Sequence, residues 1–213
     1  MIKIIFFDFD GVIVESVDVK TKAFGRLFEP EGKSNVKKVV DYHLKNTGVS
    51  RFEKIRHIYK EILKRPLSEP EFGSLCERFS AMVVDEVIAS PFVAGAQEFL
   101  KSYSGVYDCY VVSATPEEEL RDIVKRRRMT GYFKAVFGAP KNKRDMVRQT
   151  ILSRKIEPTE AAYVGDALSD YRAALENKVH FIARINQNDG IFRDVDCARI
   201  NDFTTLGAIL KGL

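Results

Sequence analysis

The sequence of 213 residues contains no tryptophan, three histidines and three cysteines. Cys76, Cys109 and Cys197 are odd in number and widely spaced, which indicates neither a disulfide framework nor a CxxC zinc or redox motif. Repeats and stretches rich in glycine, serine and proline are also lacking, which argues against long disordered segments. With 45% hydrophobic and 30% charged residues, the composition is that of a globular protein.

Long apolar runs are absent as well. The run near the N-terminus is too short to cross a membrane, is interrupted at Asp8, and is followed by no cleavage-site pattern. We therefore expect a cytoplasmic protein with no membrane partner. The net charge of +4 suits anionic small molecules or nucleic acid equally well. We interpret the basic run Lys125-Arg126-Arg127-Arg128 as a solvated helix end, where cations complement the helix dipole, and predict no nucleic-acid partner.

Short apolar runs of strand length recur along the chain, and the later ones alternate with helical patterns. Strands that are apolar on both faces and alternate with helices are typical of a parallel sheet covered on both sides. The sequence therefore predicts an α/β fold, a Rossmann-like doubly wound parallel sheet. The predicted strands are Ile2 to Phe7, Cys109 to Val112, Ala135 to Phe137, Ala161 to Val164 and Phe181 to Ala183.

The region after the first strand contains helical patterns instead of strands. Ser50 with Glu53, and Ser68 with Glu71, have the spacing of capping boxes that begin two amphipathic helices. An insertion of this length has the size of a small domain. We predict a core of residues 1–16 and 91–213 with a helical insertion at 17–90, and hinges near 15–17 and 90–93.

Polar side chains follow three of the predicted strands. Asp8 and Asp10 follow the first, Ser113 follows the second, and Asp166 follows the fourth with Asp170 four residues later. Ligands bind at the carboxyl ends of the strands in an open parallel sheet, so these side chains are expected to converge. An all-oxygen acidic cluster needs a hard cation, and Mg²⁺ is the most plausible one.

A lysine is expected at the same edge of the sheet. Asn142 can cap a helix whose first residue is Lys143, and a cation at the positive end of a helix indicates a bound anion. Lys141 lies two residues earlier and is the alternative phosphate lysine; we choose Lys143 for its place at the helix start.

Ser113 and Ala114 precede another predicted helix start. Thr115 with Glu118 has the spacing of a capping box, with proline at the first helical position, so the serine is not needed as a cap. The Ser113 hydroxyl and the amides near Ala114 then suit a phosphate oxygen.

Together these motifs resemble the haloacid dehalogenase (HAD) superfamily of hydrolases that use an aspartate nucleophile. They occur in the order typical of that superfamily, along the whole chain, and the resemblance implies a Rossmann-like core with a mobile α-helical cap. The matching residues are Asp8, Asp10 and Gly11 in a DxDG box, Ser113, Lys143, and Gly165-Asp166 with Asp170.

The resemblance implies a role for each matching residue. Asp8 would attack phosphorus and form an aspartyl phosphate, and Asp10 would act as general acid and base. Ser113 and Lys143 would hold the phosphoryl group, and Gly11 would let the backbone approach it. Mg²⁺ would be held by the Asp8 side chain and the Asp10 main-chain carbonyl, together with Asp166 and, directly or indirectly, Asp170.

Some details distinguish subgroups of the superfamily. Dehalogenases and phosphonoacetaldehyde-cleaving members usually lack the second aspartate, so Asp10 argues against both. The stretch Gly48-Val49-Ser50-Arg51 resembles β-phosphoglucomutase-like members, which makes Arg51 a candidate for binding the distal part of the substrate, unless it is an exposed arginine in a first helical turn. Those mutases carry a histidine where this chain has Lys20, which argues against a mutase.

The main hypothesis is a Mg²⁺-dependent phosphatase of a small phosphorylated metabolite, such as a sugar phosphate, phosphoglycolate or a nucleotide. A sugar phosphomutase and a non-catalytic phospho-receiver or binding module are the alternatives. We interpret His43, His57 and His180 as structural or surface residues. The protein is expected to be a monomer or a homodimer.

Overall fold

The computed structural model describes residues 1–185 and 189–213, and its centre is a six-stranded parallel sheet. The strand order is β3-β2-β1-β4-β5-β6, which is that of a Rossmann-like doubly wound fold. The predicted fold class is confirmed. The strands are β1 Ile4–Phe7, β2 Asp108–Pro116, β3 Ala135–Ala139, β4 Ala161–Gly165, β5 His180–Arg184 and β6 Ala198–Ile200.

The first strand lies at the centre of the sheet because all four of its residues are apolar. Every residue of β1 is buried, and alternate side chains join two apolar clusters on opposite faces of the sheet. β1 pairs with β2 on one side and with β4 on the other. The carboxyl ends of these three strands therefore lie next to one another.

Nine α-helices are formed by the residues described. They are α1 Val17–Leu27, α2 Lys33–Lys45, α3 Arg51–His57, α4 Glu69–Ala89, α5 Ala96–Tyr103, α6 Glu117–Arg126, α7 Lys143–Arg154, α8 Leu168–Glu176 and α9 Leu206–Gly212. A π-helical segment, Ile58–Leu63, continues α3. Ser50 and Ser68 accept hydrogen bonds from the amides of Glu53 and Glu71, so both predicted caps are confirmed.

Two predictions about the elements were wrong. The strand β2 continues through Pro116 and α6 begins at Glu117, so Thr115 does not cap that helix. Instead, the Thr115 hydroxyl points to Asp10. The strand β6 was missed because it has three residues, one of them exposed, and lies at the edge of the sheet, where a sequence pattern is weakest.

The helices from α1 to α4, called the inserted helices below, pack around their own aromatic cluster. The rings of Phe24 and Phe79 have centroids 4.6 Å apart. The two connections to the sheet lie side by side, since the Glu15 amide donates to the Pro91 carbonyl and the Val93 amide to the Ile13 carbonyl. The division into a core and a mobile cap stays a prediction.

The basic run at the end of α6 is engaged within the protein. Arg126 pairs with Asp85 at 2.6 Å. The guanidinium of Arg127 lies over the Phe92 ring and donates to the Val87 and Ser90 carbonyls at the end of α4. Arg127 therefore holds the last turn of the inserted helices, which is a structural role for part of this run.

The three cysteines are not joined in disulfides. None of the described helices combines the length and the apolar character that a membrane span requires.

Candidate active site

Asp8 lies at the carboxyl end of the central strand β1 and is almost completely buried. The Phe9 amide donates to its Oδ1 at 2.6 Å, and Lys143 Nζ lies 2.7 Å from its Oδ2. Burial raises the pKa of Asp8 to about 6, although Lys143 opposes the shift; the charges of Asp170 and Asp10 add to it. The Asp8 carboxylate is therefore poorly solvated and lies next to the positive charge of Lys143.

Asp166 and Asp170 complete an acidic cluster with Asp8. Ligand oxygens of the three carboxylates lie within 4.8 Å of one another, and all three side chains are buried. Burial raises the pKa of Asp166 well above its usual range, and the charges of Asp8 and Asp170 add to the shift. A bound divalent cation would favour the ionised forms, and three carboxylates with one lysine would then leave two negative charges for it to balance. The oxygen donors therefore fit Mg²⁺.

Asp170 is oriented by several donors. Lys143 Nζ lies 2.7 Å from its Oδ1, the Tyr163 hydroxyl lies 2.9 Å from the same oxygen, and the Ala167 amide donates to Oδ2 at 3.0 Å. The side chain is fully buried at the first turn of α8. These hydrogen bonds fix the Asp170 carboxylate, which in turn orients Lys143 and the loop after β4.

The two candidate lysines have different surroundings. Lys143 begins α7, is buried, and lies between the carboxylates of Asp8 and Asp170. The Asn142 side chain accepts from the Asp145 amide, so the predicted helix cap is confirmed. Lys141 is more than half exposed and pairs with Glu117 at 3.2 Å. The structure brings Lys143, and not Lys141, to the carboxylates of Asp8 and Asp170.

Asp10 has different surroundings from Asp8. The Ser16 hydroxyl donates to Oδ1 at 2.6 Å, and Thr115 donates to Oδ2 at 3.0 Å. Lys20 forms an ion pair with the same carboxylate. Burial alone would raise the pKa of Asp10, but the charge and hydrogen bond of Lys20 and the two hydroxyls outweigh it and lower the pKa. The two aspartates are therefore electrostatically unequal.

Gly11 is required by its backbone and by its neighbour. Its φ is +76°, and a Cβ at this position would lie 2.2 Å from Asp166 Oδ2. Arg184, buried at the end of β5, donates to the Gly11 carbonyl at 3.1 Å and pairs with Glu15. Arg184 thus fixes the tight turn after Asp10, and Asp166 fills the space that a side chain at position 11 would need.

We expect Gly11→Ala to reduce activity by at least about tenfold and to destabilise the fold by about 1–3 kcal/mol, because the Cβ displaces Asp166 and the backbone is strained. Gly32→Ala is the matched control, since Gly32 has a φ of +82° and no heavy atom lies within 4 Å of the point that a Cβ would occupy. Thermal melts and initial rates of both variants measure the effects. Equal losses in the two variants would mean that contact with Asp166 is unimportant.

Ser113 and Ala114 line a small cavity together with Asp8 and Asp10. The cavity has a free volume of about 50 Å³, is partly open, and is lined on its other side by residues of the inserted helices. Ser113 is buried, and its hydroxyl oxygen accepts from the Thr115 amide at 3.2 Å. The backbone near Ala114 thus faces the same space as the two aspartates.

Arg51 lies at the start of α3 and is not an exposed arginine. It is buried, stacks over the Phe79 ring at 4.5 Å, and donates to Ser80 Oγ at 2.6 Å. Both of its terminal nitrogens bond the carboxylate of Glu119 in α6. Arg51 lines the cavity, but its charge is already paired with Glu119. In this structure it therefore links the inserted helices to α6.

Several residues of the site were missed by the sequence analysis. Thr115 was interpreted as a helix cap, and Lys20 was noted for its difference from mutases and not for a contact with Asp10. Ser16, Tyr163 and Arg184 received no role. For two of them the partner lies across the fold: Thr115 is 105 residues from Asp10, and Arg184 is 173 from Gly11. Ser16, Lys20 and Tyr163 contact carboxylates 6, 10 and 7 residues away, but outside any regular helix or strand spacing.

The fold and the site define a class of hydrolase that has paired aspartates at the end of the first strand of a Rossmann-like sheet. A family model described as haloacid dehalogenase-like hydrolase matches residues 5–184. The chain belongs to this family and is an enzyme of its hydrolase class. A search of curated proteins found no match.

Solved structures share the fold at low sequence identity. A predicted phosphoglycolate phosphatase from Haemophilus somnus has a TM-score of 0.77 and 18% identity, covering 98% of this chain and 97% of that one. A β-phosphoglucomutase from Clostridium difficile has a TM-score of 0.78 and 18% identity, with 99% and 96% covered. CbbY from Rhodobacter sphaeroides, in complex with xylulose-(1,5)bisphosphate, has a TM-score of 0.76 and 16% identity, with 97% of each chain covered.

Proposed function

We propose that this enzyme is a Mg²⁺-dependent phosphatase of small phosphomonoesters and acts through a phosphorylated Asp8. The observation that carries the proposal is that Asp8, beside Lys143, and Asp10, with a separate set of donors, line one cavity at the end of β1. One carboxylate can then attack while the other exchanges a proton. Membership of the hydrolase family supports the same chemistry.

In the first step a carboxylate oxygen of Asp8 forms a bond to phosphorus, and the bond from phosphorus to the leaving oxygen breaks. Asp10 gives a proton to that oxygen, so the leaving group departs as an alcohol. Lys143, 2.7 Å from Asp8, offsets the negative charge that accumulates beside the nucleophile. Ser113 and the backbone at Ala114 supply donors for the phosphoryl oxygens.

In the second step Asp10 takes a proton from water, and the water oxygen attacks the phosphorus of the aspartyl phosphate. The acyl phosphate bond breaks, phosphate is released, and Asp8 is restored. The Asp10 carboxylate that accepts this proton is the form left by the proton transfer in the first step. Ser16, Lys20 and Thr115 orient that carboxylate through contacts with its two oxygens.

The proposed metal ligands are the side chains of Asp8 and Asp166 and the main-chain carbonyl of Asp10. Asp170 acts on the cation through the groups that it orients. When bound, Mg²⁺ would neutralise the phosphoryl oxygens and so help the attack by an anionic nucleophile. The net double negative charge of the cluster supports a divalent cation.

Removal of Mg²⁺ with a chelator is expected to lower the rate of phosphate release by at least about 10²-fold, because the acidic cluster then repels the substrate. Added Mg²⁺ should restore the rate. Asp166→Asn should raise the Mg²⁺ concentration for half-maximal activity, whereas Asp41→Asn, on an exposed turn of α2, should leave it unchanged. A rate that persists after chelation and dialysis would contradict the metal requirement.

The substrate class is proposed from the shape of the cavity. A free volume of about 50 Å³ beside Asp8, lined in part by the inserted helices, favours a small phosphorylated metabolite over a phosphoprotein. The inserted helices would act as a mobile cap, and their hinges would lie at 15–17 and 90–93. The cytoplasmic compartment and the monomeric or homodimeric state also stay predictions.

A sugar phosphomutase is the second candidate, supported by the likeness to the Clostridium difficile β-phosphoglucomutase. Phosphate release and isomerisation, measured in parallel on a panel of metabolites, separate the two. Isomerisation of a hexose phosphate with negligible hydrolysis would overturn the phosphatase proposal. Turnover of an aryl phosphate at several per second would exclude a phospho-receiver, which has to preserve its acyl phosphate.

A further inference from the structure

Lys54 is a buried cation that the proposed chemistry does not use. It is 2% exposed, lies in α3, and lines the same cavity as Asp8 and Asp10. Its Nζ lies 3.0 Å from His43 Nδ1 and 3.3 Å from the Thr47 carbonyl. It forms no ion pair with any carboxylate among the residues described. A buried ammonium without a counter-ion is costly and therefore calls for an explanation.

His43 provides a second, independent observation. It is buried in α2 and lines the cavity, and its Nε2 has no hydrogen-bond partner in the part of the chain that the structure describes. A charged lysine can only donate, so Nδ1 accepts from Lys54 and the ring proton of the neutral imidazole is on Nε2. Burial lowers the pKa of His43 to about 3, and Lys54 and Lys20 add to the shift, which keeps the ring neutral. The unused group is therefore a donor.

Arg51 and Lys20 are the other cations that the inserted helices bring to the cavity. The charge of Arg51 is neutralised by the bidentate contact with Glu119. Lys20 is paired with Asp10. Lys54 thus brings to the cavity of the nucleophile a positive charge that no carboxylate among the described residues balances.

We propose that Lys54 and His43 form an oxyanion-binding subsite, and that the substrate is a compact phosphomonoester whose leaving group carries its own carboxylate or second phosphoryl group. The inference rests on the proposed function for the position of the reacting phosphoryl group at Asp8. An oxyanion would pair with the Lys54 ammonium, which His43 Nδ1 holds at the cavity, so one ligand would balance the buried charge.

The electrostatics and the size of the cavity support this proposal. Burial, together with the charges of Lys20 and Lys143, lowers the pKa of Lys54 to about 7, and Asp10 and Glu53 offset this only in part. A bound anion would supply the missing negative charge. The free volume of about 50 Å³ is small, which favours a compact leaving group over a larger one.

The test compares three phosphomonoesters that share a two-carbon leaving group. Ethyl phosphate carries no second charge, 2-phosphoglycolate carries a carboxylate, and ethylene glycol bisphosphate carries a second phosphoryl group. With Mg²⁺, the full-length enzyme is expected to prefer one of the two oxyanion probes over ethyl phosphate by about 10²-fold in kcat/KM. The preferred probe identifies the oxyanion. A preference below threefold for both would overturn the inference.

Lys54→Met should reduce that preference to less than about tenfold, mainly through KM, because the charge that selects the oxyanion is removed. Lys37→Met, at an exposed position of α2, is the matched control and should keep the full preference. Lys54→Gln, which retains a donor for His43 without the charge, is the second variant if Lys54→Met does not fold. A preference that survives in a folded Lys54 variant would overturn the inference.

Binding of the same probes to the Asp8→Asn variant, measured by calorimetry with Mg²⁺, separates this inference from the proposed function. Tighter binding of an oxyanion probe than of ethyl phosphate, lost when Lys54→Met is added, supports the subsite even if the wild-type enzyme hydrolyses none of the probes. Hydrolysis of all three probes with equal binding would retain the phosphatase and overturn the subsite. Equal or undetectable binding without hydrolysis would overturn both.

Discussion

Asp8→Asn is expected to lower phosphate release by about 10⁴- to 10⁶-fold, the largest effect of any single substitution at this site, because an amide cannot attack phosphorus as a carboxylate does. The change is nearly isosteric, and the oxygen of the introduced amide can still accept a hydrogen bond. Initial rates with an aryl phosphate measure the loss. Acid quenching during turnover, followed by mass spectrometry, should find the phosphoryl group on Asp8 in the wild-type enzyme.

Asp41→Asn is the matched control for this prediction. Asp41 is exposed on α2, and the same chemical change there should leave the rate within about twofold. Thermal melts of both variants exclude unfolding as the cause of a loss. Retention of more than a tenth of the wild-type rate in Asp8→Asn, or a phosphoryl group on another residue, would contradict the role of Asp8 as nucleophile.

Asp10→Asn has the second largest expected effect, a loss of about 10²- to 10⁴-fold in steady-state turnover, because the general acid and base is removed. The effect depends on the leaving group. An aryl phosphate with a good leaving group needs little protonation, so the first step should survive, while attack by water on the aspartyl phosphate is slowed. We therefore expect a burst of one equivalent of phenol per enzyme, followed by slow turnover.

Stopped-flow absorbance with 4-nitrophenyl phosphate detects this burst. A substrate with a poor leaving group, such as ethyl phosphate, should give no burst of product, because ethanol can depart only when Asp10 supplies a proton. Ser16→Ala leaves the carboxylate of Asp10 in place but removes the hydroxyl that donates to its Oδ1. The smaller loss of activity expected in this variant would reflect only the poorer orientation of Asp10. Equal losses with both substrates and no burst would contradict the two-step role of Asp10.

The sequence alone was sufficient to predict the sheet, because its strands are short apolar runs that can be buried only between two layers of helices. Helix starts at Ser50, Ser68 and Asn142 were also predictable. In each of these, a side chain bonds an amide three residues later, so the contact is local and leaves a fixed spacing in the sequence. The order of the acidic motifs indicated which strand ends carry charge.

The sequence pattern was ambiguous where a local contact competed with a distant one. Thr115 has the spacing of a helix cap, but its hydroxyl bonds Asp10 because β1 and β2 are neighbours in the sheet. Arg51 has the pattern of an exposed arginine or of a substrate contact, but Glu119 on α6 takes its charge. The local sequence pattern cannot decide such cases, because it is the same whether the side chain makes the local contact or the distant one.

By itself, therefore, the sequence determined the fold class and a set of carboxylates at the ends of parallel strands. Only the tertiary structure decided how the charges around them are paired. Lys20 and Arg51 are neutralised by Asp10 and Glu119, whereas Lys54 lines the cavity with no carboxylate partner among the described residues. The physical reason is that pairing depends on how the inserted helices pack against the sheet, and a contact between residues far apart in the chain leaves no periodic trace in the sequence.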